Sequence, residues 1–166
     1  MTTIKVLLIL GLGFFFTSCE SHDWDKDDAL QEMVQLFAIL PDNAPDSQLT
    51  RTVPGANGRP IKVNRIPMLT NLELAHAETR YHDNNDDMMV IKVNLSGMGE
   101  NKWRIASANY AGYRAVMMVG DEFKCFMKFD PYFQKGPVRF YCYLTSAEAD
   151  EVCSLIKKNY KALVRK

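Results

Sequence analysis

The chain has 166 residues, 20 Lys+Arg against 20 Asp+Glu for a formal net charge of zero, and an apolar share of 47%. That composition fits one ordinary globular domain. It excludes a wholly disordered chain, which would be poorer in apolar residues and less balanced in charge, and a nucleic-acid binder that relies on bulk positive charge. Four cysteines are too few for a disulfide scaffold, and no CxxC or HExxH pair suggests a metal site.

The first residues read as an export signal and are set aside from the fold. Lys5 supplies a positive start, Val6 to Phe16 an apolar run of 11, and Thr17 and Ser18 a small polar lead into Cys19. The run is shorter than the roughly 20 apolar residues of a membrane-spanning helix. The string FTSC, Phe16 to Cys19, resembles the lipobox of bacterial lipoproteins, with Ser18 as the small residue before the cut and Phe16 where those proteins usually carry Leu. The resemblance implies a signal peptide over 1–18, and a mature chain starting at Cys19 that carries acyl chains on its thiol and amine. The membrane then becomes a partner through that lipid. Glu20 rather than Asp follows the cysteine, which favours the outer over the inner membrane and leaves the face open. The alternative is a soluble exported protein with a coincidental cysteine.

Residues 19–28 form an acidic tether, with Glu20, Asp23, Asp25, Asp27 and Asp28 against Lys26. Residues 29–48 are expected to hold an amphipathic helix and linker. Leu30, Met33, Val34, Phe37 and Leu40 fall at i, i+3, i+4, i+7 and i+10, the acids lie at the positive helix end, and Pro41 stops the helix. The domain proper is expected over 49–163. It opens with a hairpin, strands Leu49–Val53 and Ile61–Asn64 around a turn at Gly55 to Gly58. Thr70 and Glu73 then make a capping box for a one-turn helix. Ala75–Tyr81 and Met88–Asn94 read as paired strands joined by HDNNDD.

Ser96 caps a helix to about Tyr110 that buries Trp103, Ala106 and Tyr110 and ends at Gly112. Ala115 to Val119 is apolar on both faces, as a central strand requires, and Gly120-Asp121 turns the chain. Phe123, Cys125, Met127 and Phe129 are expected on one face of the next strand, opposite Lys124 and Lys128. Val138, Phe140, Cys142 and Leu144 repeat that alternation against Arg139, Tyr141 and Tyr143. Thr145 and Glu148 cap a closing helix with Ala149, Val152, Cys153, Ile156 and Tyr160 inward. Its C-terminal lysines suit the helix dipole, so they need no nucleic acid to explain them.

From Val90 to Phe123 the order is a strand, a helix, Gly112 with Arg114, an apolar strand, Gly120-Asp121 and a second strand. Beyond it Pro131 and Pro137 lead to a strand and to Leu144, Thr145, Glu148 and Ala149. This order resembles the head part of the first periplasmic domain of SecD, an accessory of the Sec translocon, and small exported relatives that carry it. The resemblance covers about residues 49 to 160. It implies an α+β fold: an antiparallel or mixed sheet with two main helices packed on it, here with the N-terminal helix in addition. It carries no catalytic set; what it transfers is contact with polypeptide or envelope partners.

Two functions of different class follow. The first is a lipid-anchored, non-enzymatic binding or accessory module whose exposed strand edges add a peptide strand. The second is an exported enzyme or thiol-redox protein using Cys125, Cys142, Cys153 or the pair His76 and His82. The cysteines lie on apolar faces, where inert packing is the ordinary role, yet export places them in an oxidising compartment. A hairpin loop over 130–137 would pair 129 with 138 and set Cys125 opposite Cys142, so a disulfide between these two is expected, with Cys153 left free. His76, His82, Asp83, Asp86 and Asp87 meet no fixed ligand spacing, and no metal is assigned to them. No Ser-His-Asp signature, Gly-rich phosphate loop or paired-carboxylate motif is present, so no cofactor is expected and the non-enzymatic reading is preferred.

Overall fold

A computed structural model describes residues 32–82, 85–129 and 136–164, with the side chains of 85–87 set aside. Cys19, the tether and residues 29–31 of the expected helix lie outside the described residues. The strands are β1 Val34–Ala38, β2 Thr50–Pro54, β3 Pro60–Asn64, β4 Leu74–His82, β5 Asn85–Leu95, β6 Arg114–Val119, β7 Glu122–Lys128 and β8 Val138–Cys142; the helices are α1 Gly97–Asn109 and α2 Ser146–Val164. Six strands form one antiparallel sheet in the order β1-β6-β7-β8-β5-β4, and β2 and β3 form a separate hairpin. The described chain is therefore α+β with two main helices, and its sheet is antiparallel rather than mixed.

The helix expected within 29–48, with its stripe from Leu30 to Leu40, is corrected by β1 over Val34–Ala38. Leu36, Ala38 and Ile39 lie off the helical stripe, so the run from Met33 to Leu40 is apolar nearly all round and suits a short strand buried on both faces. Val34 and Leu36 enter the main core while Phe37 enters a second, smaller one on the opposite face. A strand there is worth more than a helix because β6 offers five consecutive partners, from Val119 opposite Val34 to Ala115 opposite Ala38.

The main core lies between the sheet and the two helices. On α1, Trp103 stacks on Phe129 with ring centroids 5.0 Å apart. Ser96 accepts from the Gly99 amide at 3.2 Å as N-cap. On α2 the capping box is complete: Glu148 Oε2 accepts from both the amide and the hydroxyl of Thr145 at 2.8 Å. Ala149, Val152, Cys153 and Ile156 are buried, but the fifth inward residue is Asn159 rather than the half-buried Tyr160. Asn159 Nδ2 donates to the Glu32 carbonyl at 2.9 Å, while Thr79 on β4 donates to Asp150 at 2.7 Å, so α2 is tied to the chain just ahead of β1 and to β4.

The second core lies under the β2–β3 hairpin. Val53, Val63 and Ile61 cover Phe37, Val116, Met118 and Phe123. Phe123 was expected beside Cys125, but a bulge intervenes: Met117 pairs with Cys125 and Met118 with Phe123, leaving Lys124 as the extra residue. The added residue reverses the alternation and turns Phe123 to the other face. The Thr70–Glu73 capping box closes a single turn without starting a helix, with Glu73 Oε2 accepting from the Thr70 amide and hydroxyl at 2.8 Å.

Candidate functional site

The hairpin covers only the β1-β6 end of its sheet face, with Phe123 of β7 beneath it. The register across the strands shows what is left open. One transverse row runs Arg80–Val90–Tyr141–Phe126 over β4, β5, β8 and β7 and continues beneath the hairpin as Val116 and Phe37. The neighbouring row begins Glu78–Lys92–Arg139 over β4, β5 and β8, and Lys128 faces Arg114 on β7 and β6. From β4 to β7 no described strand or helix lies over these rows, and Val90 is buried by the side chains around it. Around Val90, the side chains of Arg80, Lys92, Arg139 and Tyr141 form a shallow hollow of about 170 Å³, lined also by Tyr81 and His82.

The charge of this face is one-sided. Lys92 stands directly opposite Arg139, and Lys128 opposite Arg114, and like charges so placed destabilise an antiparallel pair. Glu78 Oε1 reaches Lys92 Nζ at 4.0 Å; among the described residues no carboxylate pairs with Arg80, Arg114, Lys128 or Arg139. The Arg114 guanidinium leans over Phe126, 6.0 Å from the ring centroid. The result is a line of cations beside a line of apolar and aromatic groups.

The two sheet edges differ. The outer edge of β1 is closed: Leu36 donates to the Leu69 carbonyl at 2.9 Å and accepts from the Met68 amide at 2.7 Å, and the Val34 amide donates to Asn71 Oδ1 at 2.8 Å. β4 ends the strand order at the other side, and among the described residues no further segment pairs with its outer edge. Its nine residues offer about 30 Å of main chain. His76, Glu78 and Arg80 on this strand are exposed, the polar dressing that keeps edges from pairing indiscriminately.

The residues singled out in the sequence do not converge here. Cys125 and Cys142 are joined in a disulfide with Cα atoms 4.5 Å apart, in the main core beneath the opposite face. Phe126 opposite Tyr141 is the same register that pairs 125 with 142. Cys153 is a free thiol buried in that core, and burial pushes its pKa up to about 11, so it stays protonated. His76 is exposed on β4, and the His82 ring lies 5.8 Å from Tyr141. Six residues of strand hold the two imidazoles about 20 Å apart. The side chains of Asp83, Asp86 and Asp87 lie outside the described residues. Nothing in the sequence alone marks Arg80 or Lys92, and Arg139 and Tyr141 stand there only as the alternate face of the Val138–Leu144 strand. Their common signal is a basic residue on the outward alternation of successive strands, and it needs the register to be seen.

Fold and site together describe an antiparallel α+β domain with helices on one sheet face and a half-open, basic-aromatic surface on the other. Two solved structures share this fold. One, of SecDF in a super-membrane-facing form, superposes with a TM-score of 0.55 at 12% identity, covering 76% of this chain and 19% of that one. Another, of SecDF described as a membrane component that enhances protein export, also gives 0.55, at 11% identity over 78% of this chain and 63% of that one. The chain thus has a SecD-like fold and spans less than two thirds of either protein. No protein-family profile and no curated protein matches it. Among the described residues no helix is long and apolar enough to cross a membrane.

Proposed function

We propose that this chain is a lipid-anchored accessory module of the bacterial cell envelope, without enzymatic activity of its own, that holds polypeptide segments in extended form. The observation that carries this reading is the unpaired outer edge of β4 running beside an open sheet face, in a fold shared with SecDF, one structure of which is described as enhancing protein export. Edge addition supplies affinity through main-chain hydrogen bonds and selectivity through alternate side chains. The lipid on Cys19 and the tether would keep this surface close to the outer membrane.

The thiol-redox alternative has less support. Cys125 and Cys142 are spent in a buried disulfide, and Cys153 lacks the accessible, electropositive setting of a reactive thiol.

Hydrogen exchange on the full chain, with and without a reduced, carboxymethylated polypeptide, tests the binding reading. Slower exchange is expected along β4, and unchanged β4 amides at saturating polypeptide would refute it. Labelled palmitate should enter the wild-type chain and be absent from Cys19→Ala; label retained by the variant would rule out Cys19 as the anchor.

A further inference from the structure

We infer that the open half of the sheet selects acidic polypeptide segments, with Arg80, Lys92, Arg139, Lys128 and Arg114 as the residues that choose them. This rests on the polypeptide-binding reading and adds to it a stretch of the segment that leaves the β4 edge and crosses the open face, together with the charge which that stretch carries.

Folding alone does not account for the arrangement. Two like-charged cross-strand pairs on one face cost stability, and among the described residues the one carboxylate that answers these cations, Glu78, stays 4.0 Å from Lys92. A bound row of carboxylates would remove the repulsion and form charge-assisted hydrogen bonds, bidentate at the arginines. The row from β5 to β6 is about 14 Å long, the reach of four or five extended residues. Beside it the half-buried rings of Tyr141 and Phe126 offer a parallel apolar row, with Val90 buried at its end. The matching ligand is an extended segment that presents acids along one side and apolar groups along the other.

A membrane surface fits less well. The β2–β3 hairpin stands on the same face over Phe37, Val116 and Met118, and a packed layer of that kind rises about 10 Å. It forms a step beside the cation row that a flat bilayer would meet first, whereas a single extended chain can lie along its foot. Inorganic anions are also poorly matched, since the donors are spread along a line instead of converging on one point.

The test uses the purified full chain in non-ionic detergent and a labelled peptide of about a dozen residues alternating Glu with Val, alongside its Gln twin. Fluorescence anisotropy should show the Glu peptide binding about tenfold or more tightly than the twin at low salt, with the advantage shrinking as salt rises. The double variant Arg80→Gln/Arg139→Gln should lose that advantage while binding the Gln twin as before. Its melting temperature should be unchanged or higher, because a repulsion has been removed. Equal affinity for the two peptides, or a preference that survives in the double variant, would overturn the charge selection and leave polypeptide binding standing. Binding of neither peptide would remove the functional reading and this inference with it. Sedimentation with phosphatidylglycerol vesicles that depends on Arg80 and Arg139, without preference for the Glu peptide, would assign the row to lipid and overturn the proposal.

Discussion

Glu73 is a buried carboxylate that connects three pieces of chain. It accepts from the Thr70 amide and hydroxyl at 2.8 Å and from Lys102 Nζ at 2.6 Å, while its carbonyl accepts from the Ser96 amide at 2.9 Å. Burial by itself raises its pKa, but the hydrogen bonds from Lys102 and Thr70 outweigh that and hold the carboxyl below its ordinary 4.5. A pKa depressed in the folded state stabilises above the unfolded value and loses that contribution as pH falls through the folded value. Glu73→Gln is therefore expected to cost about 2 kcal/mol at pH 7, the scale of hydrogen bonds to a charged group. Urea unfolding should show the difference from wild type closing below pH 4.5, and an equal difference at pH 7 and pH 3 would contradict the charged role. The Thr70–Glu73 partnership was legible as T-x-x-E spacing; Lys102, twenty-nine residues on, becomes a partner only when α1 crosses the turn.

At the scale of elements, the sequence was most readable where one pattern had one solution. The Ser96 and Thr145 caps, the Gly112 stop and the β2–β3 turn follow from side-chain chemistry within a few residues, and all are present. Patterns with two solutions were decided elsewhere. Met33 to Leu40 suits a helix stripe or a two-faced strand, and the free edge of β6 decided for the strand. Lys124 left the β7 alternation intact by eye, yet pairing with β6 made it a bulge. Two glycines of α1 show the same dependence on surroundings. A Cβ on Gly99 would stand 2.5 Å from the Glu73 carbonyl and 3.1 Å from Leu95 Cβ, whereas one on Gly97 meets nothing within 4 Å. Gly99→Ala is expected to destabilise by about 1–3 kcal/mol through overpacking, and Gly97→Ala to be neutral or to stabilise by up to about 1 kcal/mol through helix propensity. Chemical denaturation of the two variants checks this, and a Gly99→Ala chain as stable as wild type would show that the turn yields freely.

For the whole molecule, the weak place is the middle of the sheet. β1-β6-β7 and β8-β5-β4 are each joined by ladders of five or more residue pairs, but among the described residues β7 and β8 share one registered pair, Phe126 with Tyr141. The disulfide Cys125–Cys142 lies beside that pair and links the two halves through 17 residues of sequence. Closing a loop of that size contributes about 3 kcal/mol. Cys125→Ala/Cys142→Ala should lose about that much stability, with faster hydrogen exchange at β7 and β8. Thiol titration of denatured, unreduced protein should find Cys153 reactive and neither Cys125 nor Cys142. Reaction at all three without reductant would refute the bridge. Native Cys153 should stay unreactive at neutral pH, because burial raises its pKa to about 11.

The sequence by itself determined the local devices: the caps, the turns, the alternation of Val138 to Cys142 and the helical stripe of α2. Each depends on side chains near in sequence and on the fixed periods of helix and strand. Tertiary structure decided the fate of β1, the bulge at Lys124 and the meeting of Lys92 with Arg139. Each depends on which strand became a neighbour, and a one-residue change of register would send those side chains to the other face. The near-zero net charge is the clearest case. Summed along the chain it excluded a bulk electrostatic function, while the sheet gathered five cations on one face, with Glu78 the acid paired to one of them among the described residues.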